Sequence, residues 1–297
     1  LTSGQTAGGA GRVTVQEAVE EAPERVNVVL EAELGGVGGK VRDDAFAVGG
    51  SPRVVINGEN GRVVIRSGGD GEVRVQAELK DASRIDYQAS QEGDTVVVEA
   101  KARGRATVFG LLGRHSGADI AVTTPRNTRV EVKNANGRVE LYDIDGSGAL
   151  ETTNGRILME RLKGDFEAAT RNARIEVRGI EGSTRLRTSN GRITIEDSKG
   201  AFDAVTSNAS VHFAGEMTPG GKNRLETTNG SVQVKLNGAP SVKVDASTTN
   251  GRISRHGLRM AYEDTADSGR VVGTIGGGEA ELVLRTSNAS ITLEQGG

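Results

Sequence analysis

The side chains that could perform acid–base or metal chemistry are few in this sequence and lie far apart. The three histidines are His115, His212 and His256, and there is no cysteine. No Ser-His-Asp order and no His-Glu-x-x-His motif occurs, so the sequence predicts neither a catalytic triad nor a zinc site. We therefore expect no catalytic residue, no cofactor and no metal, and we predict that the protein is not an enzyme.

Two other kinds of binding chemistry are weakly represented. The segment "YDIDG", residues 142 to 146, resembles part of a calcium loop, but neither the EF-hand loop nor the repeated nonapeptide calcium motif is present. A calcium site is therefore not predicted. Sugar binding commonly uses exposed aromatic platforms, whereas Phe166 and Phe202 fall at positions predicted to face inward. The remaining candidates for such a platform are Tyr87, Tyr142 and Tyr262.

A regular repeat fills the second half of the sequence and must position whatever surface the protein uses. The tetrapeptide Asn-Gly-Arg-Val, or a close variant, recurs at intervals of 18, 18, 18, 18, 21, 21, 18 and 20 residues. A period of about twenty residues is typical of a solenoid, whose units bury their apolar faces against their neighbours. The repeats begin at Asn136, Asn154, Asn172, Asn190, Asn208, Asn229, Asn250, Ser268 and Asn288.

Apolar residues alternate with polar ones in each unit, on both sides of a glycine. Val or Ile lies three residues after each Asn, and another apolar residue usually follows two places later, which is the period of a β-strand. The sequence therefore predicts an all-β fold, a β-helix-like β-solenoid with coils of 18–21 residues, preceded by a less regular β-rich N-terminal part. The glycines between the strands are Gly146, Gly164, Gly182 and Gly200.

The corner residues are predicted to join the coils. Asn and Gly tolerate the left-handed backbone conformation of a sharp corner, and side chains of stacked coils lie about 4.8 Å apart. Asparagine amides at this spacing can hydrogen-bond in a ladder. The predicted Asn ladder is Asn136, Asn154, Asn172, Asn190, Asn208, Asn229, Asn250 and Asn288, and a second, threonine ladder is Thr152, Thr170, Thr188, Thr206, Thr227, Thr248 and Thr286.

An arginine column follows the asparagines, two residues after the Asn of four successive units. Stacked like charges repel, so we expect these arginines to turn into solvent or to pair with glutamates. Two interpretations stay open: a stripe that binds an anionic polymer, and a solubilising outer face, which is favoured because Ser210, Ser231 and Ser290 interrupt the column. The arginines are Arg138, Arg156, Arg174 and Arg192, and the glutamates are Glu140, Glu160, Glu176 and Glu196.

Composition excludes several classes of partner. The chain has 37 basic and 40 acidic residues, well mixed, so no basic stripe for nucleic acid is predicted. No apolar run approaches the roughly 20 residues of a membrane helix, so no membrane span is predicted in this chain. Aromatic residues make up only 3%, which indicates a core of aliphatic side chains.

Several longer segments resemble one known family. They are "VVINGENGRVVIRSGGDGEVRV", "GDTVVVEAK", "PRNTRVEVKNANGRVEL" and the repeated "TTNGRI", preceded by Phe46. Together they resemble the bacterial putative-adhesin family of β-strand-repeat proteins, a domain of unknown function related to the toast-rack β-solenoids, over residues 46 to 295. The resemblance implies an exported protein of the bacterial envelope or the extracellular space, and it carries over no catalytic residue.

We divide the chain into three regions: an N-terminal arm at 1–45, an irregular β-rich part or cap at 46–124, and the regular solenoid at 125–297. The last coil, "RTSNASITLEQGG", has no capping element, so we expect an open β-edge there. The arm contains an alternating segment that could pair with the edge of another subunit. This candidate intersubunit strand is Val26, Val28, Leu30, Ala32 and Leu34.

These features support two functions. The first is a non-enzymatic structural or adhesive β-solenoid that polymerises head-to-tail with itself through the arm and the open last coil, or binds cell-surface or matrix components. The alternative is a monomeric envelope-stress scaffold or adhesin that binds a partner through a β-face, and a polysaccharide-acting enzyme is a distant third. Because the chain begins with Leu1, we expect a signal segment to have been removed and the protein to lie outside the cell or in its envelope.

Overall fold

The structure, a computed structural model, describes residues 39–103, 117–264 and 269–296. These residues contain one short 3-10 turn, Ala82–Arg84, and no α-helix, so no helix among them could cross a membrane. The prediction of an all-β fold is confirmed. The strands are β1 (Lys40–Ala47), β2 (Arg53–Asn60), β3 (Val63–Ser67), β4 (Glu72–Lys80), β5 (Ile85–Glu92), β6 (Thr95–Ala102), β7 (Gly117–Thr124), β8 (Arg129–Asn136), β9 (Val139–Tyr142), β10 (Asp145–Thr152), β11 (Ile157–Ala169), β12 (Ile175–Arg187), β13 (Ile193–Val205), β14 (Val211–Met217), β15 (Lys222–Glu226), β16 (Val232–Leu236), β17 (Val242–Thr248), β18 (Ile253–His256), β19 (Met260–Asp264), β20 (Arg270–Ile275), β21 (Ala280–Thr286) and β22 (Ile291–Gln295).

The strands stack in two ladders, which we call sheet 1 and sheet 2. Sheet 1 holds the strands that follow the Asn corners, with β7, β4 and β1 added at one end. Its order is β1-β4-β7-β3-β9-β11-β12-β13-β14-β16-β22-β18. Sheet 2 holds the strands that precede the corners, in the order β5-β6-β2-β8-β10-β11-β12-β13-β15-β21-β17-β20-β19. The long strands β11, β12 and β13 give their first halves to sheet 1 and their second halves to sheet 2.

The central coils pair in parallel, with the register that the 18-residue repeat requires. Ile157, Ile175, Ile193 and Val211 are successive partners in sheet 1, and all four are fully buried. Stacking equal residues at equal positions fills the space between the sheets with columns of branched aliphatic side chains, which pack well on a pleated surface. The predicted β-solenoid is thereby confirmed.

Aromatic rings fill the core where the two sheets face each other. Phe202 of sheet 2 contacts Phe213 of sheet 1, with ring centroids 5.1 Å apart, and neither side chain is exposed. Phe166 is also buried. The prediction that Phe166 and Phe202 face inward is confirmed, and these rings are therefore unavailable as a sugar platform.

The first and last coils of the chain are not the outermost coils of the stack. The coil β2–β3 lies between β6–β7 and β8–β9. At the other end, β21–β22 lies between β15–β16 and β17–β18. The predicted open edge of the C-terminal coil is therefore wrong, because both of its strands are paired on both sides. The last coil is thus held inside the stack by β17–β18, which come earlier in the sequence, whereas β1, the first described strand, is the outermost strand of sheet 1.

The repeat at Ser268 does not begin a parallel coil. The strand that follows it, β20, runs antiparallel to β17, and β19 pairs with β20 to extend sheet 2 outward. Ser268 itself lies outside the described residues. The strand after "SGRV" therefore lies antiparallel on one edge of β17, while β21 occupies the other edge in parallel.

The N-terminal part belongs to the same stack. The boundary that we drew at 45/46 falls inside β1, which pairs antiparallel with β4. The hydroxyl of Tyr87 on β5 donates a hydrogen bond to Asp44 on β1 at 2.8 Å, and so links the outer strands of the two sheets. Burial, with Asp44 nearby, raises the pKa of Tyr87. Val26, Val28, Leu30, Ala32 and Leu34 lie outside the described residues.

Candidate functional site

The asparagine corners form one continuous chain of side-chain hydrogen bonds. In each bond, Nδ2 of one asparagine donates to Oδ1 of the asparagine in the neighbouring coil, at 2.7–2.9 Å. All eight predicted asparagines take part, and Asn60 accepts the bond at one end. The spatial order is Asn60, Asn136, Asn154, Asn172, Asn190, Asn208, Asn229, Asn288 and Asn250, so the ladder follows the insertion of β21–β22.

The reason that a small residue follows each asparagine is only partly the one predicted. Among the described residues, positive φ outside glycine occurs only at Asp81, Asp143, Arg161 and Asp197, so the asparagines are not left-handed. Gly61 and Gly137 do have a positive φ, whereas at the later corners close stacking is the cause. A Cβ added at Gly191 would lie 1.6 Å from the carbonyl oxygen of Ala173, and one at Gly230 would lie 2.0 Å from that of Ala209.

The first three coils have glycine at this position, Gly61, Gly137 and Gly155, and from Gly155 onward glycine and alanine alternate from coil to coil. The spatial order is Gly155, Ala173, Gly191, Ala209, Gly230, Ala289 and Gly251. In the order of the sequence, two glycines, Gly230 and Gly251, would be neighbours, and Ala289 would follow them. The insertion of the last coil between its predecessors therefore keeps an unbroken alternation, in which no two alanine methyl groups meet.

The threonines do not hydrogen-bond to one another as a ladder. Each hydroxyl instead donates to a backbone carbonyl of the neighbouring coil, as Thr206 does to Gly191 at 2.9 Å and Thr286 to Gly230 at 2.8 Å. Several also accept a bond from the amide three residues later, as Thr188 does from Gly191 at 3.2 Å. The threonine column thus fixes the backbone of the corner, and no bond joins two of the seven described threonines.

The asparagine ladder leads to a stability prediction. Replacing Asn190 by alanine removes two side-chain hydrogen bonds and should lower the free energy of unfolding by about 1–2 kcal/mol. Asn250 is the last asparagine of the ladder. Its replacement by alanine removes one hydrogen bond and should lower the free energy of unfolding by about half as much. Urea midpoints of the two variants check this, and equal losses would contradict a ladder whose inner rungs are bonded twice.

The arginine column is largely neutralised by two glutamates. Glu140 and Glu176 each lie between the arginines of two neighbouring coils. The side chain of Glu140 is only 3% exposed. A carboxylate buried to this degree needs a cation close by, and the two arginines supply it. The pairs are Arg62–Glu140 (2.6 Å), Arg138–Glu140 (3.3 Å), Arg156–Glu176 (2.8 Å) and Arg174–Glu176 (2.5 Å).

The other two predicted glutamates have different partners. Glu160 pairs with Arg178 at 3.4 Å and with Arg161 at 3.3 Å, and Glu196 pairs with Arg178 at 3.2 Å. The prediction that they neutralise the column is wrong, since they lie one row further along their strands. Arg192 makes no ion pair and no side-chain hydrogen bond within the described part of the chain. Within the described residues, the uniform cationic stripe is thus reduced to two uncompensated arginines, Arg192 and, beside the outermost strand β18, Arg252.

The acidic residues of "YDIDG" are held by arginines. Arg161 donates to both carboxylate oxygens of Asp143, at 2.8 and 2.9 Å, and these bonds lower the pKa of that carboxyl. Asp145 pairs with Arg126 at 2.8 Å. Within residues 39–103, 117–264 and 269–296, no three His, Cys, Asp or Glu side chains gather in a way that could hold a metal ion.

The tyrosines and histidines are dispersed. Tyr142 is buried with Val64 and Leu158 on the outer face of sheet 1, and the guanidinium of Arg66 lies 4.0 Å from its ring centroid. Burial, with Glu140 nearby, raises the pKa of Tyr142 to about 12. The structure does not bring the histidines together: His212 lies on β14, His256 ends β18 and His115 is outside the described residues. Tyr262 lies in β19.

A long groove lies on the outer face of sheet 2, with a volume of about 700 Å³. It crosses seven strands, β8, β10, β11, β12, β13, β15 and β21, which at a strand spacing of about 4.8 Å is a length of about 29 Å. Small side chains that point outward form the floor of the groove, and their small size leaves the space above them open. They include Ser147, Ala149, Ser183 and Ala201.

Charged side chains of both signs border the groove in nearly equal number. The groove was not predicted from the sequence, because small residues at outward positions resemble ordinary strand residues. A signal was nonetheless present, since Ser147, Ser183 and Ala201 each lie eleven residues after a corner asparagine. The cations are Arg129, Arg185, Lys222 and Arg224, and the anions are Glu131, Asp165, Glu167, Asp203 and Glu281.

An ion pair ties the inserted coil to the outer coil. Arg285 on β21 donates to both carboxylate oxygens of Asp245 on β17, at 3.1 and 2.7 Å, and to its backbone carbonyl at 2.7 Å. Arg270 on β20 approaches the same carboxylate at 3.4 Å. The pKa of Asp245 is lowered, chiefly by the hydrogen bonds from Arg285.

This pair predicts a loss of stability in acid. A carboxyl whose pKa is lowered on folding stabilises the fold fully above its ordinary pKa of about 4, and loses that effect as the pH falls through the folded value. Asp245→Asn should therefore lower the melting temperature at pH 7 and make little difference near pH 2, as followed by circular dichroism. Asp165→Asn is the control, because Asp165 has no ion pair among the described residues. A deficit independent of pH would contradict the assignment.

These features define a class: a two-sheeted, parallel β-solenoid joined by an asparagine ladder, with a polar groove on one face. The chain belongs to the family described as Toastrack DUF4097, whose model matches residues 52–294. The resemblance stated from the sequence is thereby confirmed. No curated protein matches the chain.

Three solved structures illustrate what the chain is similar to. A protein described as a putative adhesin from Bacteroides fragilis is 12% identical, with 88% of this chain and 100% of that chain covered and a TM-score of 0.37. A putative cell adhesion protein from Clostridium sporogenes is 9% identical, with coverages of 86% and 100% and a TM-score of 0.27. A putative lipid binding protein from Parabacteroides distasonis is 9% identical, with coverages of 88% and 98% and a TM-score of 0.33.

Proposed function

We propose that the protein is a non-enzymatic adhesive β-solenoid of the bacterial envelope or extracellular space, which binds an extended polymer in the groove of sheet 2. One observation carries the proposal: the groove runs across the coils for seven strands instead of ending in a closed cavity. A polymer laid across the strands could contact every coil in turn. The nearly balanced charges of the lining suit a neutral or mixed-charge chain of a cell surface or matrix.

The groove carboxyl that Arg53 holds is suited to binding and not to acid catalysis. A glycosidase needs a general acid whose pKa is raised. Arginines instead lower the pKa values of Asp43, Glu131, Asp143 and Asp245. Of these four, only Glu131 lines the groove, and Arg53 holds it at 2.7 Å. These carboxyls are suited to fixing strands to one another, which supports a structural and adhesive role.

The outer strands of the stack favour a monomer over a filament. Sheet 1 ends in β1 and β18, and β1 carries Lys40, Arg42 and Asp43 while β18 carries Arg255 and His256. Charged residues on an edge strand oppose pairing with another chain. Sedimentation velocity at rising protein concentration tests this point. A constant sedimentation coefficient supports the monomer, whereas a growing one would support head-to-tail assembly at the edge of β18.

Filling the groove should abolish adhesion. Ser183 faces outward on β12, so Ser183→Arg adds a long charged side chain to the floor without disturbing the core. We expect retention on immobilised type I collagen or dextran to fall at least tenfold. Those two probes separate a polypeptide ligand from a neutral polysaccharide, and bio-layer interferometry gives the readout.

The matched control is Thr292→Arg, which places the same side chain on the outer face of sheet 1. It should bind as the unmodified protein does. If neither probe binds the unmodified protein, or if both variants bind equally well, the groove is not the adhesive surface.

A further inference from the structure

The arginine column follows a rule that the structure makes visible. Across sheet 1, one row of outward positions runs through Glu140, Leu158, Glu176, Thr194 and His212, which are partners in successive coils. A glutamate occurs in every second coil of this row. Each one lies between two arginines of the column and pairs with both. Two cations thus share each buried or half-buried carboxylate.

The rule fails at the next step of the series. The position that should hold the third glutamate is occupied by His212, which supplies no carboxylate. Arg192, the arginine of the adjacent coil, is exposed and has neither an ion pair nor a side-chain hydrogen bond in the described residues. In the following coil Ser210 replaces the second arginine. The repeat therefore leaves Arg192 at a place where two earlier coils provide an acid. Arg252, beside the outermost strand β18, also has no ion pair among the described residues, but it does not line the hollow described next.

A hollow of about 480 Å³ lies at this position. Thr194, Ser210, His212 and Gln233 provide hydroxyl, imidazole and amide groups around Arg192. The two acids that also line the hollow already have partners: Glu176 is bound by Arg156 and Arg174, and Glu196 by Arg178. The volume of the hollow lies in the range of ordinary small-molecule sites, roughly 300–1,000 Å³. Arg192 is thus the cation available to an incoming anion.

We propose that this hollow binds the carboxylate of an acidic sugar, which takes the place of the missing glutamate of the repeat. The guanidinium of Arg192 can hold a carboxylate through two parallel hydrogen bonds. The hydroxyls of Thr194 and Ser210 and the amide of Gln233 are suited to the ring hydroxyls of a uronic acid. This site lies on sheet 1, so it is separate from the groove of sheet 2 and does not depend on the function proposed for it.

The test is a titration of the full chain with sodium D-glucuronate, in which ¹H–¹⁵N NMR spectra report the shifts of the backbone amides. Parallel titrations use D-glucose, sodium acetate and tri-glutamate. We expect saturable shifts with glucuronate at the amides of residues 192–194 and 210–212, and much weaker binding of the other three. Arg192→Gln should weaken glucuronate binding by about tenfold to a hundredfold, because a hydrogen bond to a charged group is lost.

Two further variants make the result specific. His212→Glu restores the acid of the repeat beside Arg192 and should abolish glucuronate binding while keeping the protein folded. Arg138→Gln is the matched control, since Arg138 lies in the same column but shares Glu140 with Arg62, away from the hollow, and it should bind as the unmodified protein does.

Several outcomes would overturn the proposal. Equal binding of glucuronate and glucose would remove the role of the carboxylate. Equal binding of acetate or tri-glutamate would show a carboxylate site that is not specific for sugar. Equal loss in the variants of Arg138 and Arg192 would show a general effect of surface charge.

Discussion

Removal of residues 280–297 should unfold more of the protein than the eighteen residues removed. These residues carry β21 and β22, which separate the coil β15–β16 from the outer coil β17–β18. Without them β17 and β18 lose the parallel neighbours that hold them, and the Asn229–Asn288–Asn250 part of the ladder is lost. We expect amides of residues 238–275 to exchange with deuterium at nearly the unfolded rate, measured by mass spectrometry.

The control is a larger deletion. A chain that ends at Asn237 lacks the inserted coil, the outer coil and the hairpin together, and leaves β15–β16 as a complete end coil. We expect its remaining residues to be at least as well protected as the same residues in the 1–279 chain. Protection of 238–275 in the 1–279 chain, at the level of the full protein, would show that β17–β18 can stack directly on β15–β16. The inserted coil would then not be needed to hold the outer coil.

The sequence predicted the coils well and their order poorly, for a physical reason. Corner asparagines, alternating Val and Ile and the 18-residue spacing are local features, and each one fixes the register of a coil against any similar coil. The coils that begin with "NGRI" at Asn250 and "NASI" at Asn288 could therefore each stack on a similar coil in nearly the same register. Their order in space depends on the antiparallel β20, which takes one edge of β17, and on the pair between Asp245 and Arg285.

The candidate sites were predictable to different degrees. The asparagine ladder follows from one residue type at one spacing, so reasoning from the sequence reaches it directly. Of the four glutamates predicted to pair with the arginine column, two do so. The sequence does not decide between them, because an arginine can reach a glutamate in its own coil, as Arg138 does, or in the next coil, as Arg156 does. The groove was not predicted, since it results from what small side chains leave open and not from any group that performs chemistry.

Replacing Gly182 by alanine should be among the most damaging single substitutions in the chain. Gly182 has a φ of +140°, and a Cβ added there would lie 2.1 Å from the carbonyl oxygen of Gly164 in the neighbouring coil. The backbone conformation, which L-residues rarely adopt, should cost about 1–3 kcal/mol, and the collision should cost about 1–3 kcal/mol more. The free energy of unfolding should therefore fall by about 2–6 kcal/mol, as measured from urea midpoints and slopes.

Two other glycines separate these causes. Gly93 has a φ of +56° with nothing within 4 Å of an added Cβ, and Gly50 has neither a positive φ nor a neighbour at that distance. Gly93→Ala should therefore show the conformational cost alone, about 1–2 kcal/mol, and Gly50→Ala should change stability by less than about 0.5 kcal/mol. If Gly182→Ala costs no more than Gly93→Ala, the coils can separate locally without penalty, and close stacking of Gly146, Gly164, Gly182 and Gly200 does not hold this part of the solenoid together.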